Sequence, residues 1–323
     1  MALGEPYDLT GKRIFVAGHR GLVGSAIVRR LAREDCVILT AGRETLDLTD
    51  QAAVRDWFAA ERPDAVFLAA AKVGGIGAHG QAPVDFLHDN LLIEANVMEA
   101  AHRADVEKLL FLGSSCIYPK HADQPISEDA LLTAPLDPIH EGYAIAKIAG
   151  LKLAQAYRAQ HGRDFISAMP TNLYGPGDNF SLQSSHVLPA LIRKAHEAKL
   201  AGDETMEIWG TGSALREFLH VDDLADACVF LMRDYSDDGH INVGFGEDIS
   251  ILELVKLVNE VVGFEGAIVH DRSKPDGTPK KLMDSSRLHA LGWRPSYGLR
   301  EGIAQTYAWL EEAIAAGDIR GLE

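Results

Sequence analysis

Through the first half of the chain, short unbroken apolar runs alternate with longer stretches in which apolar residues return at helical spacing. Residues 13–18 (RIFVAG), 36–42 (CVILTAG), 65–71 (AVFLAAA), 108–115 (KLLFLGSS) and 164–170 (DFISAMP) predict strands. Between them, residues 25–34, 52–61, 83–104 and 143–160 predict helices, with Asp50 placed to cap the second. Runs that are apolar at every position belong to strands buried on both faces, so the alternation predicts an α/β fold with a doubly wound parallel sheet of the Rossmann type. After Thr171 the pattern loosens. Long irregular joints (NLYGPGDNFSLQSS, WGTGSALREF, SKPDGTPKK) separate shorter elements and predict a smaller C-terminal α/β substrate-binding domain. The expected division is 1–173 for the dinucleotide domain and 174–323 mainly for substrate, with 220–245 returning to the first sheet.

The glycines sharpen this picture. Gly18, His19, Arg20, Gly21, Leu22, Val23 and Gly24 lie between the first strand and the first helix. Glycines there permit a tight turn, let backbone amides approach a pyrophosphate and allow close helix-to-sheet contact. The second strand ends Thr40-Ala41-Gly42-Arg43, without the carboxylate that usually meets the ribose 2′-hydroxyl of NAD. Arg20 and Arg43 are instead matched to a 2′-phosphate, so NADP is expected over NAD. The alternative is that both arginines are solvated surface charges. Asp47 and Leu48 sit where a turn contacting adenine would follow.

Composition removes other classes. The formal charge of −16 repels polyanions, so neither a nucleic acid nor an anionic membrane is expected as a partner. No apolar run approaches the about 18 residues of a membrane span, and residues 1–13 have no apolar targeting core. Cys36, Cys116 and Cys228 are odd in number and lack a CxxC, which points to a reducing, cytoplasmic setting. No HExxH, EF-hand loop or GxSxG occurs, so no catalytic metal is expected.

The chain holds one Y-x-x-x-K, Tyr143 and Lys147, which share a helix face, and Ser114 ends the fourth strand, on the side where such sheets place ligands. With GHRGLVGSA, AAAKVGGI, FLGSSCIYPK, YAIAKIAG, MPTNLYGPGDNF, REFLHVDD and SKPDGTPKKLMD, the chain resembles the extended short-chain dehydrogenase/reductases acting on nucleotide sugars, over nearly its whole length. Within them it resembles the bifunctional 3,5-epimerase-4-reductases.

That resemblance implies NADPH-dependent epimerisation and 4-keto reduction of GDP-4-keto-6-deoxy-D-mannose. Tyr143 is then the general acid for the C4 oxygen, and Ser114 donates to that oxygen. Lys147 is expected to lower the tyrosine pKa and to bond the nicotinamide ribose. Cys116 resembles the epimerisation base; two residues beyond Ser114, it is expected on the same side of an extended segment. His186 resembles its acid partner and also a cofactor contact. Pro170, Thr171, Asn172 and Leu173 are expected to flank the nicotinamide, with Asn172 a further substrate candidate. Lys194, Trp209 and Arg216 match the family's substrate contacts, Arg216 being the best diphosphate partner, and Asp276 is a further substrate candidate. A homodimer pairing the helices near 83–104 and 142–160 is also implied. The competing readings are a 4-epimerase or 4,6-dehydratase of the same fold and a non-catalytic NADP(H) sensor.

Overall fold

A computed structural model describes residues 6–75, 80–273 and 277–317. Its strands are β1 (Arg13–Ala17), β2 (Val37–Leu39), β3 (Ala65–Leu68), β4 (Lys108–Leu112), β5 (Asp164–Pro170) and β6 (Asn172–Tyr174), then β7 (Thr205–Trp209), β8 (Leu215–His220), β9 (His240–Val243), β10 (Asp248–Ser250), β11 (Ala267–Asp271) and β12 (Lys280–Lys281). The longer helices are α1 (Leu22–Leu31), α2 (Gln51–Glu61), α3 (Pro83–Arg103), α4 (Glu141–His161), α5 (Val187–Ala201), α6 (Val221–Asp234) and α7 (Ile251–Val262); the short α8 (Ser286–Ala290) and α9 (Leu299–Ala316) complete them.

A six-stranded sheet runs β2-β1-β3-β4-β5-β9, parallel throughout. The pleat sorts its side chains. Ile14 and Val16 enter one core with residues of α1 and α6, while Phe15 and Ala17 enter another with residues of α2, α3 and α4. With both faces covered, every residue of β3 and β4 is buried, which is why those segments read as apolar runs broken only by Lys108, whose ammonium meets Asp164 at 3.1 Å. Asp50 caps α2 as expected, its carboxylate accepting from the amides of Ala52 and Ala53.

β9 pairs with β5, and α6 lies beside α1 through the ion pairs Arg29–Asp222 at 2.6 Å and Arg30–Asp226 at 2.7 Å. Residues beyond the expected 220–245 also return to this core. Leu288 and Trp293 join it, and the Trp293 indole donates to Asp226 at 3.0 Å.

The remaining strands form smaller sheets over a third core supplied by α5, α7 and α9. β8 is central: β10 pairs with it antiparallel, β12 and β6 parallel. The chain passes from the large sheet to the second one between Pro170 and Asn172, at Thr171, whose amide donates to the Val243 carbonyl at 3.0 Å. Among the described residues no helix is long and apolar enough to cross a membrane.

Candidate active site

The order β2-β1-β3 places the switch in chain direction between β1 and β3, where doubly wound sheets bind ligands at their carboxyl ends. Gly18 lies there with φ of +87°, and a Cβ on it would meet the Ala70 backbone at 2.8 Å. A Cβ on Gly24 would reach the Gly18 carbonyl oxygen at 2.1 Å, so α1 can approach the loop this closely only with glycine. Gly21 donates to that carbonyl at 2.9 Å and opens α1, whose first turn carries neither a capping side chain nor a carboxylate. Those amides make an anion site of the usual helix-terminus kind. Leu22 and Val23 pack against the core, and His19 is half-buried with its pKa lowered by burial first and then by the Arg20 charge.

The two arginines at this loop are not solvated singly. Arg20 forks onto the Glu44 carboxylate, at 2.6 and 2.9 Å, with both side chains exposed. Arg43, 83% exposed, lies 3.8 Å from Asp47. The Asp47 carboxylate accepts from the Thr49 amide and hydroxyl, which hold it below the usual range, so this side chain is committed to its own turn. The Leu48 carbonyl accepts from the Asn96 amide at 3.0 Å.

At the end of β4 the chain does not stay extended. Ser114 accepts from the Cys116 amide at 3.2 Å and caps a short 3₁₀ turn over Ser115–Ile117, so the strand-alternation argument for Cys116 is wrong. The turn nevertheless keeps the thiol at the site, because Tyr143 hydrogen-bonds Ser114 and feels Cys116 electrostatically. The pKa of Tyr143 is raised, not lowered: burial is the main cause, then the neighbouring Cys116 and Glu94. Burial outweighs the depression expected from Lys147. The Lys147 ammonium is buried against the Glu94 carboxylate at 3.0 Å and donates to the Leu112 carbonyl at 3.0 Å, so its charge is compensated.

The second half supplies a residue that sequence reasoning missed. Lys281, on β12, places its ammonium 3.8 Å from the Cys116 sulfur. It also pairs in register with Arg216 on β8, so two cations stand side by side. The neighbouring backbone is fixed by Glu217, which is fully buried and accepts from the amides of Met283 at 3.1 Å and Gly246 at 2.7 Å, while its carbonyl accepts from Asn172 at 2.8 Å. Arg216 is half-buried; its guanidinium donates to the Leu215 carbonyl, and among the described residues no carboxylate forms an ion pair with it. Lys194 donates to the Glu207 carbonyl at 3.2 Å, on the strand that also carries the exposed Trp209. His186 is exposed at the N-cap of α5, just beyond Ser184, whose carbonyl accepts from the Gly75 amide of the loop after β3. Asp276 lies outside the described residues.

The sequence matches the NAD dependent epimerase/dehydratase family over residues 14–244. It is 62% identical to GDP-L-fucose synthase 1 of Arabidopsis thaliana across 92% of both chains. It is 52% identical to GDP-L-fucose synthase of Escherichia coli K12, across 94% of this chain and 98% of that one. The chain belongs to the GDP-L-fucose synthase family. A solved GDP-L-fucose synthetase from Naegleria fowleri, bound to NADP, shares its fold with a TM-score of 0.91 at 29% identity over 98% of both chains. Dependence on a nicotinamide dinucleotide comes with the family, and the Gly18–Gly24 loop has the geometry to hold its pyrophosphate.

Proposed function

We propose that this enzyme converts GDP-4-keto-6-deoxy-D-mannose to GDP-L-fucose by NADPH-dependent 3,5-epimerisation and 4-keto reduction. The observation that carries this reading is the meeting of Ser114, Tyr143 and Cys116 with Lys281 from the second half of the chain. A hydroxyl pair suits a ketone oxygen, and a thiol beside an ammonium suits a proton on carbon. The C4 ketone acidifies the protons on C3 and C5. Cys116 takes such a proton as thiolate, Lys281 stabilises the anionic sulfur, and His186 returns a proton to the opposite face of the ring. Ser114 and Tyr143 hold the C4 oxygen as negative charge develops on it. NADPH, when bound, supplies the hydride for C4. Tyr143, kept protonated by its burial, then gives its proton to the C4 oxygen.

Arg216 takes the diphosphate, with Lys194 and Trp209 beside the nucleotide or sugar and Asn172 and Asp276 as further substrate contacts. Pro170 and Leu173 flank the nicotinamide where the chain changes sheets. Arg20 and Arg43 take the 2′-phosphate of the cofactor. Exposed ion pairs such as Arg20–Glu44 contribute little in water, so exchanging the carboxylate for a phosphate is not opposed. Replacing Arg20 and Arg43 together by alanine is expected to raise the KM for NADPH about tenfold while moving that for NADH little, the loss of about one charged contact. Equal rises would remove the 2′-phosphate assignment.

The helices α3 and α4 pack together and expose Val84 and Ile145, which supports pairing with a second copy into a homodimer. The free cysteines support a cytoplasmic location. The deciding assay supplies GDP-4-keto-6-deoxy-D-mannose and NADPH and reads NADPH oxidation together with the stereochemistry of the product. GDP-L-fucose is the expected product; no NADPH consumption would sink the reading.

A further inference from the structure

The region behind the reacting groups holds a carboxylate for which the reaction above has no use. Glu94, on α3, is 1% exposed, and its side chain meets the Lys147 ammonium at 3.0 Å. An ammonium has three donors. The Leu112 carbonyl takes one at 3.0 Å, the Glu94 carboxylate stands at ion-pair distance without taking a donor in line, and the Phe111 ring has its centroid 4.8 Å from the nitrogen. Donor capacity is left for a further acceptor.

We propose that Glu94 is a positioning residue, holding the buried Lys147 ammonium by charge so that a free donor meets the nicotinamide ribose. The inference rests on the reading of Lys147 as the ribose contact. α4 is built to admit the carboxylate: a Cβ at Gly150 would lie 2.4 Å from Glu94 Oε2 and 2.6 Å from the Phe111 ring edge. A glycine in the interior of a 21-residue helix is unfavourable for the helix itself, so the space it leaves has a use elsewhere. Burial pushes the Glu94 carboxyl up, and the Lys147 charge is the main force opposing this. Each charge is therefore the other's solvent. Without Glu94 the ammonium would be a lone buried charge, free to turn toward another acceptor.

The test is a double-mutant cycle read by NADPH binding, which needs no turnover. Fluorescence titration of NADPH is expected to show Glu94→Gln and Lys147→Met each weakening binding about tenfold, the weight of one charge-assisted contact. The double variant is expected to be no weaker than Lys147→Met alone, and affinity for GDP, titrated separately, is expected to stay at the wild-type value. Gly150→Ala, which crowds the carboxylate, is expected to reproduce the NADPH loss with GDP binding retained. Wild-type NADPH affinity in Glu94→Gln overturns the assignment, as does additive loss in the double variant. A parallel fall in GDP binding, or loss of folding by circular dichroism in both Glu94→Gln and Gly150→Ala, makes the pair a part of the fold and overturns it equally. Failure of the substrate reading would show separately, as wild-type enzyme that binds NADPH and does not oxidise it with the keto sugar.

Discussion

Tyr143→Phe is expected to lower the rate of C4 reduction by about 10²–10⁴-fold, the range for losing a positioned general acid. The ring would remain in place, because the whole side chain is buried and only the hydroxyl bonds Ser114. Binding of NADPH and of the GDP-sugar is therefore expected to change little, so the loss falls on kcat. Ser114 cannot take over. Its hydroxyl is a hydrogen-bond donor to the C4 oxygen but a far weaker acid than a phenol, and it already accepts the Cys116 amide. Proton exchange at C3 and C5 in deuterated water is expected to fall less than reduction, since Ser114 still stabilises the enolate oxygen. Single-turnover oxidation of NADPH measures the first rate and mass spectrometry of recovered sugar the second. Product formation equal to wild type would mean that another group delivers the proton.

The difference between those two rates follows from how the site is built, and only part of that construction can be read along the chain. The sheet is legible because its signal is local. β3 and β4 are buried on both faces and announce it at every position but Lys108, Asp50 stands where a cap must stand, and the loop from Gly18 to Gly24 lies directly between a strand and a helix. Local reading fails where a side chain rewrites the backbone. KLLFLGSS continues as a strand by pattern, yet the Ser114 hydroxyl accepts the Cys116 amide and ends the extension at a 3₁₀ turn.

It fails more deeply where the partner is remote. Glu94 reads as one more charged residue on a helix, and nothing near it says that it is buried; the vacancy that admits it is Gly150, on the next long helix. That buried carboxylate partners Lys147 and, after burial itself and Cys116, adds to what keeps the Tyr143 pKa up, so the expected depression by Lys147 could not be read from the helix alone. Lys281 is harder still. It sits in SKPDGTPKKLMD among other lysines, and 165 positions separate it from the sulfur it faces. The parallel pairing of β12 with β8, and the Glu217 carboxylate holding Met283, bring it there.

Cys116→Ser is expected to slow exchange at C3 and C5 by about 10²–10⁴-fold, as for removal of a general base, and to spare reduction of a sugar supplied with its centres already inverted. Serine preserves the shape of the turn, whose bond runs from the backbone amide to Ser114 and does not involve the sulfur. What is lost is a group that can carry a proton away from carbon. Lys281→Met should act on the same step through charge: an ammonium 3.8 Å from the sulfur favours the anion, and its removal is expected to slow exchange about tenfold. Because Lys281 acts through the thiolate, adding Lys281→Met to Cys116→Ser is expected to cost no further exchange. Reduction of the pre-epimerised sugar by Lys281→Met should remain near wild type unless Lys281 also holds the diphosphate with its neighbour Arg216. The KM for that sugar separates these roles, since a diphosphate contact raises it while support of the thiolate leaves it unchanged. Undiminished exchange in Cys116→Ser would move the base to another residue, and Lys281 would then be a partner of the substrate alone.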